Sequence, residues 1–187
     1  PKPSSAASDV YKRQGIWRDV PRSFWTRDLD QSADIFVREI EVGIEDSGVK
    51  AGVIKVANDE NELTPAHVNV LRAAARASKR TGCPISTHHW AVGEQGREQI
   101  RIFKEEGVQM DRVCIGHTAD TTDIEYIEWL FQQGVYVSMD RYTPNSRNVM
   151  WQQRNESVKE LIKRGWANKM MLGHDGLSLI HISEPTR

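Results

Sequence analysis

The sequence predicts an α/β chain built as an incomplete parallel barrel, and three observations carry that prediction. Short apolar strands alternate with helical segments of roughly ten to fifteen residues, the pattern of parallel strands joined by right-handed crossovers. No GxGxxG or GxxxxGK[ST] phosphate loop occurs, so the usual mark of a doubly wound sheet is missing. Unit length fits a barrel: Lys55, His88 and His117, where three apolar strands run out, lie 33 and 29 residues apart, against roughly 30 per unit when about 250 residues make eight units. Five strands are expected and do not close a barrel of eight. The predicted fold is therefore a partial (β/α)8 TIM barrel.

Each element has its own signal. From Leu29, residues Ala33, Phe36, Val37, Ile40 and Ile44 recur at helical spacing, and Asp46-Ser47-Gly48 reads as the stop. A strand through Lys55 follows. Thr64-Pro65 has N-cap and first-turn chemistry, opening a helix that runs through Leu71 and three alanines to Gly82. The second strand ends at His88; Ile100 and Phe103 mark a helix closed by Gly107, and Val113 to Ile115 is a strand. Asp120 to Asp123 reads as the cap of a helix carrying Ile124, Ile127, Leu130 and Phe131, ended by Gly134. Tyr136 to Met139 leads into Asp140-Arg141-Tyr142, Ser157 to Lys163 lies in a last helix, and Met170 to Leu172 ends near Asp175.

Composition narrows the class of partner. A chain of 187 residues with 39% hydrophobic content can bury one core. Its net charge of −1 comes from interspersed charges without a basic stripe, which favours a small-molecule partner over nucleic acid or anionic membrane. Cys83 and Cys114, the two cysteines, sit in strand-like segments and read as buried free thiols of a reducing, cytoplasmic compartment. No apolar run approaches the roughly 20 residues of a membrane helix, and no export segment is expected. Residues 1–14 and 177–187 share no period with the middle and resemble translated adapter sequence. They are set aside as non-native tails flanking a barrel domain over 15–176, taken as cut at both sides.

Lys55, His88, His117 and Asp175 read as a metal site. Lys55, between Ile54 and Val56, must snorkel at an edge or be neutralised. An ammonium cannot ligate a metal, so a metal role requires a changed amine, most simply a carbamate formed with CO2, whose two oxygens can bridge two cations. His88 and His89, as strand neighbours, point to opposite faces, and His88 is the chosen ligand. Asp175 alone would be read as a helix cap; with the other three it becomes a ligand candidate. Arg141 and Tyr142 could orient a substrate, the alternative being an Arg141 ion pair with Asp140 or Glu156. Asp120, Asp123, His67 and the two cysteines are read as structural, the tryptophans as packing, and His174 as either a support of the site or a solvent-facing residue. His181 falls in the excluded tail.

The segments FVREIEVGIEDSGVKAGVIKVAND, CPISTHH, DRVCIGHTADTTDIEYIEWL, GVYVSMDRYTP and NKMMLGHD, in that order over roughly Gly15 to Gly176, resemble the phosphotriesterase family of the amidohydrolase superfamily. The Met-Asp-Arg-Tyr run is similar to its lactonase-like branch. That resemblance implies a distorted barrel of which this chain holds about strands 4 to 8. It also implies two divalent metal ions, zinc first, with cobalt, manganese or iron as alternatives, bridged by a carbamylated Lys55 and a hydroxide. His88 and His117 would hold one metal. Asp175 would hold the other and accept a proton, and Arg141 would lie by the leaving group. The implied parent is a homodimeric, metal-dependent hydrolase of small-molecule esters, namely lactones or phosphotriesters. The His-x-His pair such proteins carry on their first strand does not occur here, so the chain alone is expected to be inactive. A carbamate-bridged cyclic amidohydrolase and a non-catalytic metal- or ligand-binding barrel are the rival expectations.

Overall fold

The computed structural model describes residues 27–58, 63–142 and 149–175. Within them five helices alternate with five strands. Helix α1 (Leu29–Glu41) starts where the Asp28 carboxylate accepts the Gln31 N–H at 2.8 Å, and it buries Ala33, Phe36 and Val37. It stops short of the expected Ile44, because Gly43 takes φ +144°, outside any helix. Ile44 is nonetheless buried, its N–H turned back onto the Val49 carbonyl at 2.9 Å. Apolar spacing there reports burial across a turn rather than helical continuation.

Strand β1 (Ile54–Ala57) leads to α2 (Pro65–Thr81), whose Thr64 hydroxyl accepts the His67 N–H in a capping box and which ends at left-handed Gly82. Ala73, Ala74, Ala75 and Ala77 are wholly buried on α2, so α1 and the sheet can approach its backbone closely. Then follow β2 (Ile85–His88), α3 (Gly96–Glu106), β3 (Val113–Ile115), α4 (Ile124–Gln132), β4 (Tyr136–Met139), α5 (Trp151–Lys163) and β5 (Met170–Leu172). Asp123, accepting from the Tyr126 N–H, is the cap of α4; Asp120, expected beside it as a cap, belongs instead to a short 3-10 turn.

All strand pairs are parallel and the spatial order is the sequence order, β1-β2-β3-β4-β5. This is the run of consecutive β/α units that a partial (β/α)8 barrel requires. Register separates the two faces. Ile54, Val56, Ile85, Val113, Ile115, Val137 and Met139 are buried in the main core cluster, each worth about 1.5–3 kcal/mol if fully withdrawn from water. Lys55, Ser86, Cys114 and Tyr136, paired in register across the first four strands, form a half-buried row on the other face. Cys83 is buried as expected, whereas Cys114 is only half-buried. Trp166 stacks on Phe131 with centroids 5.2 Å apart, and Arg97 lies 4.3 Å over Trp129, but Trp151 is 49% exposed and does not pack as expected. The segments read as non-native tails lie outside the described residues.

Among the described residues β1 and β5 each have a single strand neighbour, and β5 presents Leu172 at 66% exposure. Unpaired apolar edges template association between chains. The 187-residue chain should self-associate with rising concentration in sedimentation velocity, and Leu172→Lys should lower that tendency. A concentration-independent monomer would refute it.

Candidate metal centre

Of the side chains singled out from sequence, Lys55 lies within β1, His88 ends β2, and His117, Arg141 and Asp175 follow the ends of β3, β4 and β5. Lys55, on β1, points to the half-buried face, and its Nζ donates to the Thr87 carbonyl at 2.9 Å. Burial pulls the Lys55 ammonium below its ordinary range, against the opposing pull of Asp140 and Asp175. His88 ends β2 and meets His117 edge to face, with ring centroids 4.6 Å apart. Burial, then repulsion from His117 and Arg141, pulls His88 down to about 2, which keeps its ring neutral.

His117 lies two residues past β3 in the left-handed region at φ +64°, and Arg141 after β4 (φ +61°) and Asp175 after β5 (φ +48°) share that conformation. Side chains other than glycine seldom adopt it, and such strain concentrates where a backbone is bent to aim a side chain. The turn at His117 depends on Gly116. A Cβ there would stand 2.1 Å from the Thr87 carbonyl oxygen, so only glycine lets β3 approach β2 this closely.

Hydrogen bonds then settle which nitrogen each ring offers. His117 Nδ1 lies 3.1 Å from Asp140 Oδ1; a carboxylate only accepts, so Nδ1 carries a proton. Arg141 Nη2 lies 3.3 Å from His88 Nδ1; a guanidinium only donates, so Nδ1 is the lone-pair nitrogen of His88. Burial alone would raise Asp140, but hydrogen bonds from His117 and Ser138 and the Arg141 charge hold it below the usual carboxylate range. Burial pushes the Cys114 thiol up to about 11, so it stays protonated on the strand between Lys55 and Asp140.

Arg141 pairs with neither Asp140 nor Glu156 as the sequence alternative had it. Its ion pairs are to Asp120 at 2.5 Å and Asp175 at 3.3 Å. The second Asp120 oxygen takes Arg154 at 2.8 Å, and Arg154, fully buried on α5, also donates to the Asp140 and Val149 carbonyls. Asp120 thus bridges two guanidinium groups. Tyr142 packs half-buried against the core beside Arg141, and His174 is exposed. His89 faces away from His88 as expected and is buried among hydrogen-bond partners.

No three His, Cys, Asp or Glu side chains among the described residues form a ready-made cage around one point. Asp175 is engaged by Arg141, and His117 Nδ1 by Asp140, with Asp175 Oδ2 3.7 Å away. The donor set nevertheless fits a transition-metal ion: two imidazoles, one carboxylate, and one amine whose charged form burial disfavours.

Consecutive parallel β/α units with imidazole, carboxylate and amine side chains gathered at their carboxyl ends define a chain of the (β/α)8-barrel class, with its chemistry on the expected face. Residues 7–186 match the phosphotriesterase family. The chain belongs to that family, within the amidohydrolase superfamily. A phosphotriesterase homology protein of Mycobacterium tuberculosis is 51% identical over 142 residues, 76% of this chain and 43% of that protein. An aryldialkylphosphatase of Saccharolobus solfataricus is 41% identical over 160 residues, 86% of this chain and 51% of that protein. The structure of the phosphotriesterase from Mycobacterium tuberculosis superposes with a TM-score of 0.75 at 50% identity, covering 77% of this chain and 44% of that one. The chain thus spans about half the length of the curated relatives it matches.

Two stability predictions follow from these contacts. Gly116→Ala should lower unfolding free energy by about 3 kcal/mol or more, because backbone rather than a movable side chain blocks the added methyl. Arg154→Met should cost about 3–5 kcal/mol by removing one of the two guanidinium partners of Asp120 and the Arg154 hydrogen bonds to two buried carbonyls. Urea unfolding midpoints check both, and unchanged midpoints would contradict them.

Proposed function

We propose that this chain carries most of a binuclear metal centre of a hydrolase that cleaves small-molecule esters, lactones or phosphotriesters. The observation that carries the reading is a half-buried lysine, its ammonium disfavoured, beside two imidazoles whose ring centroids lie 4.6 Å apart. In this reading Lys55 loses its proton, its amine nitrogen bonds to the carbon of CO2, and the proton released goes to solvent, leaving an N-carboxylate. As an N-carboxylate, Lys55 would serve as a ligand to divalent ions, zinc first, with cobalt, manganese or iron as alternatives. His88 and His117 would hold one ion, and Asp175 would hold the other. Such a pair supplies, when bound, a nucleophile ionised near neutral pH and polarises the oxygen under attack. Asp175 would take up a proton, Asp140 holds His117 Nδ1 at 3.1 Å, and Arg141 and Tyr142 would flank the departing group.

The name of the Saccharolobus relative supports a phosphorus ester as substrate. A second reading, cleavage of a C–N bond by the same ligands, has its own support: an N-acetyltaurine hydrolase of Dictyostelium discoideum is 30% identical over 155 residues. Ester hydrolysis is favoured because the 41% relative is a phosphatase of triester type by name. A protein that binds metal without turnover is the reading a failed assay would leave. The proposed site is completed by residues beyond Lys55, His88, His117 and Asp175, so activity belongs to the longer polypeptide, which we propose to be a cytoplasmic homodimer.

Lys55→Ala in that polypeptide should lower metal-dependent lactone and phosphotriester hydrolysis by more than the roughly 10–100-fold that a ligand's outer partners cost. Short carboxylic acids should restore part of it. Full activity in the variant without added acid would refute the carbamate, and amide cleavage without ester cleavage would favour the second reading.

A further inference from the structure

The two residues flanking His88 grip the peptide that precedes His117. Thr87 Oγ1 accepts the Gly116 N–H at 3.4 Å, and His89 Nδ1 lies 2.7 Å from the Gly116 carbonyl oxygen. A carbonyl only accepts, so His89 carries its proton on Nδ1. Its Nε2, at 3.0 Å, then accepts from the Tyr126 hydroxyl, and that oxygen accepts the Gly96 N–H at 3.2 Å. Thr87, His89 and Tyr126 are all buried, so each bond is made without competition from water. Gly96 leaves room for the arrangement, since a Cβ there would come within 2.5 Å of the Tyr126 oxygen. Behind His88, the backbone carbonyl is held by the Asn58 N–H at 3.2 Å and by Gln99 Nε2 at 2.8 Å.

We propose that His89 is a positioning residue: by donating to the Gly116 carbonyl it locks the left-handed turn at His117 and so sets the separation of the two imidazoles as a chelating pair. The proposal deepens the metal-hydrolase reading above and rests on it for the word chelating; the locking itself does not. Tyr126 is the outer member, keeping the His89 proton on Nδ1 by donating to Nε2. Without His89 the Gly116 carbonyl is a buried acceptor with no side-chain donor, and the strained conformation at His117 loses a restraint it needs.

The test uses the 187-residue chain with and without Co(II), the metal alone serving as probe. In the metal-free chain, long-range proton–nitrogen spectra should show His89 as the Nδ1–H tautomer. His89→Leu should shift or broaden the His117 ring resonances while those of His67, in the α2 capping box, stay in place. His89→Asn, whose amide nitrogen stands near the position of Nδ1, should keep the His117 signals close to those of the parent. With Co(II) added, His89→Leu should weaken binding about tenfold or more and alter the visible spectrum, and His89→Asn should recover most of both. Should His89→Leu fail to fold, Tyr126→Phe serves: it should mix the His89 tautomers and perturb the His117 ring more weakly. Unchanged His117 resonances in a folded His89→Leu or Tyr126→Phe chain would overturn the proposal. Absence of Co(II) binding by the parent chain would instead count against the metal reading, leaving the His117 resonances to decide this one.

Discussion

The contact on which the rest of the site depends is the approach of Gly116 to the Thr87 carbonyl. That one oxygen receives the Lys55 amine, and its residue's hydroxyl receives the Gly116 N–H. A methyl group at position 116 would overlap it. Strands β1, β2 and β3 therefore meet at a single peptide, and the side chains that leave there, Lys55, His88 and His117, inherit its placement. Two further strands add Arg141 and Asp175 by the same device, a non-glycine residue bent to positive φ just past the strand.

Charge around this point is balanced by pairs rather than by solvent. Arg154, without access to water, is offset by Asp120, and Asp120 is shared with Arg141, which reaches Asp175 and His88. A buried ion pair is weak evidence of stability, since desolvation costs offset the attraction. Its more secure consequence is geometric: an acid bridging two forked donors has little freedom to rotate. Asp120 therefore fixes where Arg141 can stand, and α5 is coupled to the site through Arg154.

Much of the fold was legible because its punctuation is local. Thr64-Pro65, Asp123 and the glycines at 82, 107 and 134 mark ends by chemistry that acts within a turn, and the structure honours each. Lys55 stood out because an amine flanked by Ile54 and Val56 on a strand has few inexpensive environments. The end of α1 was misjudged since Ile44 is buried by a turn that apolar spacing cannot distinguish from another helical step. Asp120 and Asp140 were passed over for a different reason. Each looks like an ordinary cap or near-neighbour partner in sequence, and each acts through contacts 21 to 34 residues away. His89 lies on the face opposite His88, as strand alternation predicts, but its hold on Gly116 exists only once β2 and β3 are paired.

Strands laid down in sequence order have a temporal side. During synthesis each new strand can add to the growing edge of the one before it, and domains form from the N-terminal side at a pace of about 5–20 residues per second. Lys55, His88 and His117 can then be in register before β4 and β5 leave the ribosome, whereas Arg141 and Asp175 arrive with the last two units. The nascent chain thus lays down Lys55, His88 and His117 first and the Arg141–Asp175 ion pair last, on a sheet that is already built.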